Sequence, residues 1–238
     1  VTTRPGPVDP GVAGSARPDA GRPATVVVPL RDGQTGKSRL AGPFTADERT
    51  HIVGALARHV VGTLLAAPGV TRVLVVTGDP AFAHRILAPD LRLDVVPQPA
   101  DHHGLNAAVT LGRARAIADG AARVLVMHAD LPLLTPDDVV ALLAPDAPLV
   151  LAPDEAGTGT NALVLDSSVR GFDFRFGTAS ARAHLDQAAA LGLEAAVVRR
   201  PGTWTDLDTP DDWLALPAPV RERIAPGAQA AQAAQADQ

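Results

Sequence analysis

Residues 27–38 read VVPLRDGQTGKS, and this stretch decides the fold. An apolar, β-branched run feeds a glycine-dotted loop that ends in Gly-Lys-Ser. In open α/β sheets ligands bind in the crevice outside the carboxyl ends of the strands, and this loop has that position. It is not the phosphate-cradling loop of an ATPase or GTPase. That loop needs four residues between its first glycine and the Gly-Lys pair, so that enough backbone N–H groups curl around the phosphates. The count would demand glycine at position 31, which is Arg31, and only two residues separate Gly33 from Gly36.

Further apolar runs follow the first. Strands are expected over 25–30, 72–77, 93–97, 122–127, 148–152, 161–165 and 195–199. The first, second and fourth are almost continuously apolar, which suits central strands covered on both faces. Helices fall between them. Thr45-Ala46-Asp47-Glu48 is a capping box, followed by Ile52, Leu56, Val60 and Leu64 on one face. Leu105, Ala108, Val109, Gly112 and Ala116 form a second stripe, which Gly120 ends. Thr135-Pro136 opens a third helix, and a fourth runs from about Ala179 to Leu191. This alternation predicts an α/β fold: one domain, a three-layer αβα sandwich around a mostly parallel sheet.

The domain is expected over 24–216. Residues 1–23 hold five prolines and four glycines without apolar periodicity and read as a disordered arm. Residues 217–238 end in GAQAAQAAQADQ and read as a disordered Ala/Gln-rich tail. With 238 residues and no cysteine, disulfides, thiolate metal sites and cysteine nucleophiles are excluded. Twenty-one basic against 26 acidic residues give a net charge of -5, and aromatics make up 3%. That balance argues against a nucleic-acid surface and against a stacking platform for single strands. No apolar run approaches the roughly 18 residues that span a membrane, and no signal peptide is evident. A cytoplasmic protein is expected.

Carboxylates supply the chemistry. Asp130, in VMHADLP, follows a buried strand and is held at the ligand edge unless it merely caps the next turn. Asp206 and Asp208, in TWTDLDTPDDW, are two apart, so in an extended segment both face one side. Three hard oxygen ligands suit Mg²⁺. Asp208 competes with a second reading, as a cap for the helix that starts at Thr209-Pro210. Lys37 and Arg39 bring two cations to the end of the first strand, as point charge and fork. QPADHHGLNAAV places Gln98, Gly104 and Asn106 around a helix N-terminus, a ready anion or base-edge site. His102 and His103 are adjacent in a loop, where side chains diverge, and are not read as a metal pair. The glycine- and threonine-rich segment 152–163 is either an anion loop or a simple hairpin turn. Gly177, Thr178 and Ser180 lie at another helix N-terminus, and Phe172, Phe174 and Phe176 read as core.

Lys37-Ser38-Arg39-Leu40, GLNAAV (104–109), HADLP (128–132), GTNAL (159–163), FG..S...H (176–184) and DLDTPDD (206–212) together resemble the phospholactate or phosphoenolpyruvate guanylyltransferases of coenzyme F-420 biosynthesis. The resemblance covers about 25–214. It implies a nucleotidyltransferase, glycosyltransferase-A-like fold, with GTP as co-substrate and Mg²⁺, two ions, held by Asp130, Asp206 and Asp208. It implies that Lys37, Arg39, Gln98, Gly104 and Asn106 bind the nucleotide, with Lys37 also catalytic. The phosphorylated three-carbon acid is expected at Thr160, Gly177 and Ser180. Three positions depart from the family pattern: Thr178 stands where proline is frequent, Ala181 where an aromatic is frequent, and Arg31 replaces a lysine.

An Ala-, Arg- and Pro-rich composition suggests a GC-rich genome of actinobacterial type. Relatives from such organisms are expected to use phosphoenolpyruvate, giving enolpyruvyl-diphospho-5'-guanosine and pyrophosphate. 2-Phospho-L-lactate and 3-phosphoglycerate are the alternative acceptors. Partners are then small molecules, with a homodimer and hand-over of the product to the next enzyme as further expectations. Other readings are a molybdenum-cofactor guanylyltransferase, a non-catalytic nucleotide sensor, or a sugar-nucleotide glycosyltransferase. The last usually shows Asp-x-Asp straight after a central strand, where this chain has His128-Ala129-Asp130.

Overall fold

The computed structural model describes residues 22–31 and 37–226. The arm before residue 22, loop residues 32–36 and the tail beyond 226 lie outside the described residues. Seven strands form one sheet: β1 (Ala24–Leu30), β2 (Val70–Thr77), β3 (Leu93–Pro97), β4 (Arg123–Met127), β5 (Leu149–Pro153), β6 (Thr160–Asp166) and β7 (Ala195–Val197). Their order is β3-β2-β1-β4-β6-β5-β7. β1 pairs in parallel with β2 and β4, β2 with β3, and β5 with β7. Only β6 runs against its neighbours, β4 and β5. Its first residues therefore reach the edge where β1 and β4 end.

The helices are α1 (Ala46–Ala66), α2 (Pro80–Ile86), α3 (Leu105–Ala118), α4 (Pro136–Leu143), α5 (Ser180–Ala190), α6 (Pro201–Trp204), α7 (Pro210–Ala215) and α8 (Ala218–Ile224). Side chains alternate along a strand, so β1 serves both layers. Val26 and Val28 pack with Val53, Val60 and Leu64 of α1, and α2 and α4 share that core. Val27 faces the other way, onto Ala108 and Ala116 of α3. α5 lies on the same side as α3, with Ala181 and Ala188 against Leu151 and Leu163 and the three phenylalanines buried beside them. This is the expected αβα sandwich. Among the described residues no helix is long and apolar enough to cross a membrane.

Gly112 lets α3 lie close to the sheet. A Cβ there would stand 2.4 Å from Val27 Cγ1 and 3.0 Å from Val76 Cγ2. Both valines are rooted in strands and cannot retreat. Gly112→Ala is expected to lower stability by about 1–3 kcal/mol despite alanine's better helix propensity. Urea unfolding reads this, and a stability equal to or above wild type would show that the layers have slack.

Two expectations change. Residues 218–224, read as part of a disordered tail, form α8. Val220 and Ile224 share one side of it and join Ile52, Leu56 and Trp213 in a separate small core. Arg223 donates to Pro132 O at 2.7 Å and ties the helix to the segment between β4 and α4. The Ala/Gln composition that suggested disorder belongs to the stretch beyond residue 226. α2 also escaped the sequence reading, although Asp79 caps it by accepting from Phe82 N at 2.9 Å.

Candidate active site

A cleft of about 760 Å³ opens at the carboxyl edge of β1, β3 and β4, a size that suits a small-molecule site. The ends of β1 and β4, the start of β6, the entrance to α5 and the segment before α7 all reach it. Lys37, Arg39, Gln98, Gly104, Asp130, Thr160, Gly177, Ser180, Asp206 and Asp208 line it. Asn106 does not. Its Oδ1 accepts from Phe176 N at 2.8 Å and its Nδ2 donates to Phe176 O at 3.1 Å. Both ends of that amide bond to backbone, so Asn106, expected at the nucleotide, here holds the Phe176–Gly177 segment in place and does not line the cleft.

The three aspartates meet. One carboxylate oxygen from each of Asp130, Asp206 and Asp208 lies within 4.8 Å of the other two. Competing cap roles are filled by other residues. Thr135 caps α4 and Thr209 caps α7, each in a capping box with an aspartate three residues on. Asp130 and Asp208 are thus free to face the cleft. Leu207 N donates to Asp130 O at 3.1 Å and ties the two acidic segments together.

Lys37 Nζ donates to Asp130 Oδ2 and to Asp208 Oδ1, both at 2.5 Å. Burial alone would lower its pKa, but the two carboxylates outweigh burial and raise it. Asp130 responds in kind: burial pushes its pKa up, and the Lys37 charge more than offsets that. Among the described residues Asp206 forms no salt bridge. Burial, then the charges of Asp130 and Asp208, push its pKa up to about 6. Asn161 Nδ2 reaches its Oδ1 at 3.4 Å and Trp204 O at 3.3 Å. Meanwhile Asp130 Oδ1 is buried without a hydrogen-bond partner among the described residues. An orphaned carboxylate oxygen, a carboxylate held toward its protonated form and a lysine wedged between two more are what a divalent-cation site with oxygen donors presents. The donor set fits Mg²⁺.

Other parts of the cleft wall carry amides and hydroxyls in place of carboxylates. Gly104 precedes α3 with φ 96°, a backbone that favours glycine, and no side chain caps that helix. Its N-terminal amides open toward the cleft, whose wall includes Leu105 and Ala108. Gln98 holds this loop by donating to His102 O at 2.7 Å and Gly104 O at 2.9 Å, which leaves its carbonyl oxygen for a ligand. Thr160 begins β6, and Gly177 and Ser180 stand at the entrance to α5. The segment between β5 and β6 is a hairpin connection, and its Gly159 also borders the cleft.

His128, Asp154, Asn161, Arg31 and His103 also line the cleft and were not singled out as ligands. The histidine of FG..S...H, His184, has no place in the cleft wall. It is wholly buried behind Thr160, and burial, then the charges of Arg175 and His128, lower its pKa to about 4. It is neutral at physiological pH.

Comparison with known proteins identifies the family. Residues 24–217 match the family model described as guanylyl transferase CofC like. A phosphoenolpyruvate guanylyltransferase of Rubrobacter xylanophilus is 40% identical over 195 residues, covering 81% of this chain and 92% of that protein. One from Sphaerobacter thermophilus is 38% identical over 198 residues, covering 82% and 93%. Among solved structures, a nucleotidyl transferase from Methanothermobacter thermautotroptrophicus aligns with TM-score 0.57 at 18% identity, covering 86% of this chain and 98% of that one. A putative nucleotide-diphospho-sugar transferase from Desulfovibrio desulfuricans G20 aligns with TM-score 0.63 at 16% identity, covering 78% and 82%. These two likenesses concern the fold. The family match over nearly the whole described domain, with relatives at 38–40% identity, decides the membership: the chain belongs to the CofC-like guanylyl transferases.

Proposed function

We propose that the protein transfers GMP from GTP to phosphoenolpyruvate, giving enolpyruvyl-diphospho-5'-guanosine and pyrophosphate. The observation that carries this reading is the pairing of opposites within one cleft. The carboxylates of Asp130, Asp206 and Asp208 share the cleft with the hydroxyl-bearing Thr160 and Ser180 and with Gly177. The relatives named phosphoenolpyruvate guanylyltransferase support phosphoenolpyruvate over 2-phospho-L-lactate or 3-phosphoglycerate as the acid.

The reaction needs no general base, because the acceptor's phosphate is already an anion at neutral pH. One of its oxygens attacks the α-phosphorus of GTP. The bond from that phosphorus to the bridging oxygen of the β-phosphate breaks, and pyrophosphate leaves with the electron pair. The protein's task is alignment and charge neutralisation. Thr160, Gly177 and Ser180 hold the acid, and Gln98 and the start of α3 receive the nucleotide. Lys37 and Arg39 neutralise the triphosphate, with Lys37 released from Asp130 and Asp208 for that purpose. Asp130, Asp206 and Asp208 would hold Mg²⁺, expected as two ions, which would supply charge neutralisation and alignment at the phosphates.

Pyrophosphate release tests the assignment. GTP and Mg²⁺ are supplied with phosphoenolpyruvate, 2-phospho-L-lactate, 3-phosphoglycerate or a sugar phosphate. Release is expected to be fastest with phosphoenolpyruvate. Release with the sugar phosphate alone would sink the reading.

A further inference from the structure

His184 touches none of the aspartates, yet its ring is gripped on every side. Arg175 N donates to its Nε2 at 2.9 Å. Its Nδ1 lies 3.1 Å from Thr160 Oγ1. Phe172 stacks on the ring with centroids 5.8 Å apart, and Phe176 meets it edge-on at 4.9 Å. Neither Thr160 nor His184 exposes more than 2% of its surface.

These contacts fix the tautomer. A backbone N–H can only donate, so Nε2 must be the unprotonated nitrogen. The neutral ring then carries its proton on Nδ1, and Nδ1–H donates to Thr160 Oγ1. The opposite tautomer would set Nε2–H against the Arg175 N–H, donor against donor, inside an apolar cluster. A hydroxyl whose oxygen already accepts a hydrogen bond keeps its own hydrogen to give elsewhere. Among the described residues His184 is the hydroxyl's only hydrogen-bond partner, and Thr160 lines the cleft with Gly177 and Ser180, so a molecule in the cleft is the acceptor left for that hydrogen.

We propose that His184 is a positioning residue that fixes the Thr160 hydroxyl as a hydrogen-bond donor to an anionic oxygen of the phosphorylated acid. The proposal rests on the guanylyltransferase reading for the identity of that acid. His184 and Asn106 act from opposite sides of one segment. His184 holds it at Arg175 N and Asn106 holds it at Phe176, immediately before Gly177. The acid pocket is thereby built before substrate arrives, and its Thr160 donor is aimed by a residue that never touches the acid.

Two measurements test this. Nitrogen-15 NMR of the imidazole in the wild-type protein should find Nδ1 protonated and Nε2 unprotonated. Kinetics on variants should then separate the two contacts. His184→Gln keeps an acceptor for Arg175 and loses the donor to Thr160. His184→Asn keeps the donor and loses the acceptor. His184→Gln is expected to raise the KM for phosphoenolpyruvate about tenfold, with the KM for GTP and the melting temperature little changed. His184→Asn should stay closer to wild type in the acid's KM. Combined with Thr160→Val, His184→Gln should add little to the effect of Thr160→Val alone, because the two act through one hydroxyl.

A proton found on Nε2 would overturn the proposal. So would full additivity in the double variant, or parallel shifts in both KM values and in stability, which packing alone would give. A wild-type protein inert with every phosphorylated acid counts against the proposed function instead, and the tautomer still decides this inference.

Discussion

Asp130→Asn lowers pyrophosphate release about a thousandfold while the protein folds as before. Asparagine keeps the shape of the side chain and removes the charge. Asp130 is the carboxylate that comes off the end of β4, paired with Lys37 and clustered with the other two aspartates. Its loss removes a ligand from the cation site and leaves the triphosphate misaligned. The fold should persist with a modest loss of stability. Despite burial, the Lys37 charge holds the Asp130 pKa below its ordinary value, so the fold favours the ionised form and asparagine gives that up. Part of the loss is offset, because one of the two charges that act with burial to raise the Asp206 pKa is gone. Lys37 keeps Asp208 as its partner. The metal-free variant should still melt cooperatively, only slightly below wild type. Activity within tenfold of wild type would remove Asp130 from the catalytic machinery.

Lys37→Met produces the second large effect, and it has two parts. The aliphatic stem is retained and the charge is lost. Turnover is expected to fall about a hundredfold, because a phosphate-neutralising cation is gone. The second part concerns pH. Asp206 has a pKa of about 6 in the fold against an ordinary 3.8. The folded state therefore binds this proton more tightly than the unfolded chain does. Its contribution to stability is complete below the ordinary value and lost as pH rises through about 6. Without Lys37, three ionised carboxylates share the site with no internal counter-charge, so the loss deepens. The variant should melt lower than wild type near pH 8 and recover as pH falls below about 6, or on addition of Mg²⁺ at high pH. Melting curves recorded across that range decide it. A profile that parallels wild type throughout would mean that Lys37 does not balance the acidic cluster.

The acidic cluster was legible because its signals are local. Asp130 follows a run of buried apolar residues, and Asp206 and Asp208 share one side of an extended segment. Lys37 was expected as a cation at the end of the first strand, and the fold sets it there between Asp130 and Asp208. What stayed hidden depends on partners distant in sequence. Asn106 sits at a helix N-terminus, where an amide serves a ligand or a neighbouring chain equally well. Only the fold brings Phe176, 70 residues on, within its reach. His184 and Asn161 are of the same kind, since Thr160 and Asp206 meet them from other elements.

Strand direction shows a subtler gap. Apolar runs do not say which way a strand points, and β6 alone runs backwards. The connection from Pro153 to Thr160 is too short for the dozen or more residues that a parallel crossover needs, so the clue lay in the loop length. That reversal delivers Thr160 and Asn161 to the ligand edge. α8 was lost to averaging: an Ala/Gln-rich end masked Val220 and Ile224, four residues apart and both apolar.

The central claim is that the α-phosphorus of GTP moves to the phosphate of a small acid. GTP labelled at that phosphorus, incubated with the protein, Mg²⁺ and phosphoenolpyruvate, tests it most directly. All transferred label should appear in a diphosphate that joins guanosine to the acid, with an equal amount of unlabelled pyrophosphate. Label recovered as GDP, or as free GMP without the joined product, would contradict the account.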